Sequence, residues 1–270
     1  MTVINTNVNA LFSQNAMKVN NRTLTNAMEQ LSTGQRINSA KDDAAGLAIT
    51  NTMTSNIRGL AQAVRNANDG INMLQTAEGA MIEQTNMLQR MRELAVQAST
   101  ASYNTTQIGY LNTEFQALDD QINNISSQTT WNGDTVISSA ATKTFVVGSA
   151  GTEKISVALA STSSSSLATA SLSISSTANA ATALTAIDTA LASISSARAT
   201  LGAGINQLTY AADNLNNVIQ NTTASRSQIL DTDYAVTTTK LASAQIIAQA
   251  ATAMLAQANQ SQQGVLALLK

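Results

Sequence analysis

The 270-residue chain contains no histidine, no cysteine and no proline. Without imidazoles and thiols there is no histidine general base, no thiol nucleophile and no His/Cys zinc site, which excludes His-based hydrolase triads and H-E-x-x-H peptidases. The lack of cysteine fits a reducing cytosol or an exported protein built without disulfides. The lack of proline leaves long helices uninterrupted. Aromatic residues make up 3% and charged residues 11% of the chain, against roughly 25% charged in an average soluble domain. A large globular core is therefore not expected, and the abundant Ala, Ser, Thr, Asn and Gln suit a slender helical bundle.

The charge balance is −2, with no dense Lys/Arg run and no aromatic platform, which argues against a nucleic-acid partner. No stretch reaches 18 uninterrupted apolar residues, and the Ala-rich C-terminal region is broken by Gln245, Gln249, Gln257, Asn259 and Gln260. No membrane span is expected. The start, Met1 to Asn7, offers neither a basic leader nor an apolar stretch of signal-peptide type, so export by a cleaved signal is not expected. The adjacent acids Asp42-Asp43 and Asp119-Asp120 fall on expected helices, where neighbours face different directions, so they read as caps and solvated groups. No catalytic residue, metal ligand or cofactor is assigned.

What the chain does have is heptad spacing at both ends. Met53, Ile57, Leu60, Val64, Ala67, Ile71 and Leu74 recur in 4,3 steps, with Met81 and Leu88 in phase. Beyond the middle, Leu184, Ile187, Leu191, Ile194, Leu201, Ile205, Leu208, Ala212, Leu215 and Ile219 repeat the pattern, with Arg198 as a polar intruder. Such seams bury apolar surface only against another helix. A weaker seam, Ala10, Met17, Leu24, Met28 and Leu31, alternates with Gln14 and Asn21, and Gly34 ends that helix. Ser39 to Asp42 has capping-box spacing and predicts a helix over about residues 40 to 99. The polar run Ser99 to Asn104 ends it, and Leu111, Phe115, Leu118, Ile122 and Ile125 mark a shorter helix.

Trp131-Asn132-Gly133-Asp134 reads as a turn. Phe145 and Val147, then Ile155, Val157 and Leu159 across Gly148 to Gly151, predict a hairpin. Ser161 to Thr177 is expected on the surface, with Leu172 and Ile174 adding at most one strand. The last seam is Leu241, Ala244, Ala248, Ala251, Leu255, Ala258, Val265 and Leu269, where Lys240 is the only charge between Tyr234 and Leu269. A helix so nearly uncharged wants an assembly interior. The fold class is mainly α: a long antiparallel bundle or coiled coil of N- and C-terminal helices, with a small β-hairpin region between them.

Several strings resemble bacterial flagellin, the filament subunit of the flagellum. They are Ile4 to Asn7, Leu31 to Gly34 with Arg36 to Gly46, Gln89 to Gln97, Ala224 to Ser227, Asp233 to Ala235 and Leu255 to Gln260. The resemblance covers about residues 1 to 140 and 180 to 270. It departs from the family pattern at Ser261-Gln262 and at Leu230-Asp231-Thr232.

The resemblance implies a terminal coiled coil of residues 1–40 with 230–270, a helical rod of 41–130 with 178–229, and a variable surface region of 131–177. It implies self-polymerisation into an extracellular filament. Export would run through the flagellar type III apparatus without a cleaved signal peptide, and the partners would be an export chaperone, the filament cap and hook-junction proteins. Gln89, Arg90, Leu94 and Glu114 match positions that an animal innate immune receptor recognises, although Arg90 with Glu93 also reads as a surface pair and Leu94 as core. Leu266, Leu268 and Leu269 resemble a tail sensed by a cytosolic immune receptor, or are seam residues. Ser161, Thr162, Ser163, Ser164, Ser165 and Ser166 are either O-glycosylated or a bare loop. The rival readings are a hook-filament junction protein and a secreted coiled-coil adhesin.

Overall fold

The computed structural model describes residues 6–267, with side chains as far as Ser261. Helix α1, Val8–Thr33, opens on Asn7, whose side-chain oxygen accepts the Ala10 N–H at 2.9 Å. It closes on Gly34 in the left-handed region at φ 71°, whose N–H donates to the Gln30 carbonyl, the conformation glycine adopts without a Cβ penalty. Helix α2, Ala44–Ala98, starts four residues later than the expected capping box. The Asp42 carboxylate does accept the Ser39 N–H and hydroxyl, but it accepts the Asn38 N–H as well and so closes a turn. The cap is Asp43, whose Oδ1 accepts the Gly46 N–H and whose carbonyl accepts that of Leu47.

Helix α3, Thr105–Gln128, begins with a reciprocal capping box between Asn104 and Gln107. Two short strands, β1 (Thr130–Trp131) and β2 (Asp134–Thr135), flank Asn132 and Gly133, both at positive φ. Strands β3 (Ala141–Val146) and β4 (Lys154–Leu159) pair antiparallel with Phe145 opposite Ile155 and Lys143 opposite Val157. Helices α4 (Thr177–Leu230) and α5 (Tyr234–Ala267) follow.

The contacts fall into two units, one of Met1–Ser55 with Asn221–Lys270 and one of Asn56–Gln220. In the second, α2, α3 and α4 bury Leu74, Met81, Leu88, Met91, Phe115, Ile122, Ile187, Ile194 and Leu201. The hairpin joins this core because α2 and α4 lack side chains where it lands. A Cβ on Gly70 would meet the Phe145 ring at 2.8 Å, and one on Gly204 would meet a Val157 methyl at 2.7 Å.

The Ser/Thr-rich segment after β4 forms no further strand, and it is a surface tract only in part. Thr162, Ser164, Leu167, Thr169 and Ile174 are buried. Polar side chains of α2 and α3 hold its backbone. Gln84 donates to the Thr162 carbonyl at 3.1 Å, Gln116 donates to that of Leu172 at 2.6 Å, and the Asn112 oxygen accepts the Ile174 N–H and the Ser173 hydroxyl at 2.9 Å each. A polar tract can enter a core when its hydrogen bonds are met there.

The terminal helix pair and the exposed sites

The terminal unit is an antiparallel pairing of α1 and α5. From α1 the inward row is Ala10, Ser13, Met17, Asn20, Leu24, Ala27 and Leu31. From α5 it is Thr237, Leu241, Ala244, Ala248, Ala251, Leu255 and Ala258. Both rows step in threes and fours, as two helices sharing a seam require. On α1 the row is not the expected one throughout: Met28 is 56% exposed, and its place is taken by Ala27. Gln14 and Asn21 likewise give way to Ser13 and Asn20. Val265, Leu266, Leu268 and Leu269 lie outside the residues whose side chains the structure describes.

The phase has a polar cause that a search for apolar residues misses. Asn20 is buried and its amide donates to the Ala244 carbonyl at 2.8 Å, while Asn7 donates to the Ala258 carbonyl at 3.1 Å. An interhelical asparagine permits one register and penalises its neighbours, because a slip leaves a buried amide unpaired. The connectors at the base of the pair are joined as well. The Arg36 N–H donates to the Leu230 carbonyl and its guanidinium to that of Ile229, both at 2.7 Å, and the Thr232 N–H returns to the Gly34 carbonyl.

The faces turned away from this seam carry large apolar side chains among polar ones. Phe12 is 77% exposed, Ile246 66% and Met254 63%, and Val8, Leu11, Val19, Val236 and Ile247 are also exposed. A soluble helix pair would carry charge there, yet α5 has Lys240 alone.

The long seams of α2 and α4 show the same displacement. Leu60, Leu74, Ile187, Ile194, Leu201, Leu208 and Leu215 are buried, whereas Met53, Ile57, Val64, Ile71, Leu184, Leu191 and Ile205 are half-buried beside the seam. Ala63, Gly70, Ala77, Gln84, Ala183, Ala190, Ala197 and Gly204 fill the innermost positions. Small residues bring helix axes close, and the larger ones then flank the contact. Arg198 sits at the edge, 3.6 Å from Glu78.

At the end of α2, the Arg90 guanidinium donates to Glu93 at 3.0 Å and to Glu114 of α3 at 2.9 Å. The hydrogen bonds that Arg90 donates to Glu93 first and Glu114 second raise its pKa, though pairs this exposed add little stability. Gln89, Arg90 and Glu114 are exposed, whereas Leu94 is 1% exposed and belongs to the core. In the Ser/Thr segment, Ser165 and Ser166 are exposed, Ser161 and Ser163 half-buried, and Thr162 and Ser164 buried. Among the described residues no cluster of three metal-ligating side chains occurs, and no helix is long and apolar enough to cross a membrane.

Comparison with known proteins decides what this pairing belongs to. The family model for the bacterial flagellin N-terminal helical region matches residues 4–142, and that for the C-terminal helical region matches residues 184–269. The chain belongs to the bacterial flagellin family. A flagellin of Halalkalibacterium halodurans is 42% identical over 99% of this chain and 100% of its own length. The crystal structure of Bacillus cereus flagellin aligns with a TM-score of 0.50 and 30% identity, covering 56% of this chain and 88% of that one. A putative flagellar hook-associated protein from Vibrio parahaemolyticus aligns at TM-score 0.59 over 70% of this chain and all of its own, but at 14% identity that likeness is one of fold alone. As a flagellin the chain is a structural subunit of the extracellular flagellar filament, and the family is a structural one. Only residues 143–183 separate the two matched regions, too few for a large outer domain between them.

Proposed function

We propose that this flagellin polymerises through α1 and α5, whose outward apolar faces are covered by neighbouring copies in the filament. The observation that carries this reading is the exposure of Phe12, Ile246 and Met254 on a pair whose inner seam is already filled. Residues 1–40 with 230–270 would line the filament interior, 41–130 with 178–229 would form the rod helices of the outer tube, and the exposed side of 131–177 would face solvent. The chain has no catalytic role in this reading. Negative-stain microscopy of full-length protein incubated with filament seeds, beside a form lacking residues 1–30 and 241–270, tests it. Long tubes are expected from the full-length protein alone. Short rings or persistent monomers would favour a junction protein or an adhesin instead.

Export without a cleaved signal, through the type III apparatus and with a chaperone, belongs to the same proposal, as do contacts with the filament cap and hook-junction proteins. For the innate immune receptor, the exposed Gln89, Arg90 and Glu114 are the expected contacts, with Leu94 supporting them from the core. Monomer should activate a receptor reporter and Arg90→Ala should lose most of that signal; an inactive wild-type monomer defeats the assignment. A cytosolic sensor would read Leu266, Leu268 and Leu269. O-glycosylation would fall on Ser165 and Ser166, since Thr162 and Ser164 are buried, and intact mass decides whether it occurs.

A further inference from the structure

Ion pairing is distributed unevenly along the chain. Every ion pair among the described residues lies between residues 78 and 198: Arg90 with Glu93 and Glu114, Arg92 with Asp188, Arg198 with Glu78, and Lys143 with Asp134. In the terminal unit the aspartates are spent on the chain's own turns and caps, and the Glu29 carboxylate makes no ion pair among the described residues. Asp43 takes the Gly46 N–H, Asp231 the Ser227 hydroxyl, and Asp233 the N–H groups of Ala235 and Val236. Arg36 and Arg226 are occupied by the Ile229 carbonyl and the Thr54 hydroxyl.

Among the described residues Arg22 and Lys41 make no such bond, nor do Lys18 and Lys240. Arg22 and Lys41 are both exposed, and they face one groove of about 520 Å³ walled by Asn21, Thr25, Asn26 and Asp42. The Asp42 carboxylate shares that groove, but three donors from Asn38 and Ser39 already hold its Oδ2. The groove therefore presents two cations and two amides against one carboxylate held by neutral donors, a balance of +1 that suits an incoming carboxylate.

Acids to match are present elsewhere on the same chain. Residues 56–220 carry seven Lys/Arg against eleven Asp/Glu, a balance of −4. On α2 and α4, Asp69, Glu83 and Asp213 are exposed and make no ion pair among the described residues. We propose that the Arg22–Lys41 groove of one subunit receives one of these carboxylates from a second copy, so that charge sets the register of a contact whose affinity comes from the apolar faces. The inference rests on the reading that copies polymerise.

Seeded growth of the full-length chain on its own sheared filaments, read as the critical concentration, tests it. Arg22→Gln/Lys41→Gln should raise that concentration about tenfold, and Arg22→Glu/Lys41→Glu further, because like charges then meet. Arg22→Lys/Lys41→Arg should grow as wild type, and circular dichroism of each monomer checks that it folds. Asp69→Asn/Glu83→Gln/Asp213→Asn should show a similar loss, and combining it with the Gln pair should add little, since both remove one interaction. The pairing is overturned if the Gln pair grows as wild type, if the acid variant does, or if the two losses multiply. Failure of the wild-type chain to extend seeds would remove the assembly reading and the pairing together; wild-type growth with an indifferent Gln pair removes the pairing alone.

Discussion

At the residue scale, two buried polar groups under the Ser/Thr segment are incompletely satisfied. The Gln84 amide nitrogen donates to the carbonyls of Ile122 and Thr162, while its oxygen has no partner. Replacing it by Leu would leave the Thr162 carbonyl without its donor, and Gln84→Leu should cost about 2 kcal/mol, read by urea unfolding. Asp119 is 6% exposed with Oδ1 unpartnered, and burial raises its pKa above the ordinary 3.8, as does the neighbouring charge of Asp120, against the Thr169 hydroxyl. The folded chain thus binds a proton more readily than the unfolded chain at this site. The stability this contributes is full below the unfolded value and is lost as pH rises through the folded one. Asp119→Asn should therefore gain about 1 kcal/mol at pH 7 and show a flatter urea midpoint between the two values. Equal midpoints for both proteins at pH 7 would count against this account.

At the element scale, glycine decides where the hairpin lies. Ala is the better helix former by about 1 kcal/mol, so Gly70→Ala and Gly204→Ala would stabilise α2 and α4 if nothing opposed them. At each position a Cβ would fall inside 3 Å of Phe145 or Val157, and overpacking of this kind costs about 1–3 kcal/mol. The clash should win, with a net loss of about 1 kcal/mol each and, in the double variant, faster hydrogen exchange across β3 and β4. A double variant more stable than wild type would show that the hairpin shifts freely. Such positions were not legible in the residue pattern. A search for large apolar residues at heptad spacing finds Val64, Ile71, Leu184 and Ile205, which flank the seams, and passes over Ala63, Gly70, Ala183 and Gly204, which fill them. Asn20 was missed for the same reason, although Ser13, Asn20 and Ala27 recur every seven residues.

At the scale of the whole molecule, the inner seam of α1 and α5 and their outer faces should separate by experiment. Phe12→Ser with Met254→Ser removes apolar surface that is mostly exposed and lies outside the inward rows of the seam. The monomer should therefore keep its helix content, while the concentration needed for filament growth should rise at least tenfold. This is the loss expected when about 2 kcal/mol of burial per large side chain is withheld from an assembly contact. Sedimentation of polymer against monomer measures it, and unchanged polymer yield would place the assembly surface elsewhere. The Arg22–Lys41 groove predicts a second loss that depends on charge, which these apolar substitutions do not mimic.

The sequence by itself determined the helical class, the hairpin, the order of the parts and the family. Each rests on local signals: heptad spacing, alternation before and after Gly148 to Gly151, the stops at Gly34 and Ser99 to Asn104, and strings of residues met in order. Only the tertiary structure decided the start of α2, the phase of the seams and the burial of the Ser/Thr segment. Asp42 and Asp43 are equivalent as caps until the turn at Ser39 claims one of them. A small residue enters a seam only when a partner helix approaches, and a serine tract is a loop or part of a core according to whether Asn112, Gln116 and Gln84 stand opposite its backbone. Those outcomes depend on neighbours distant in sequence, and no local pattern records them.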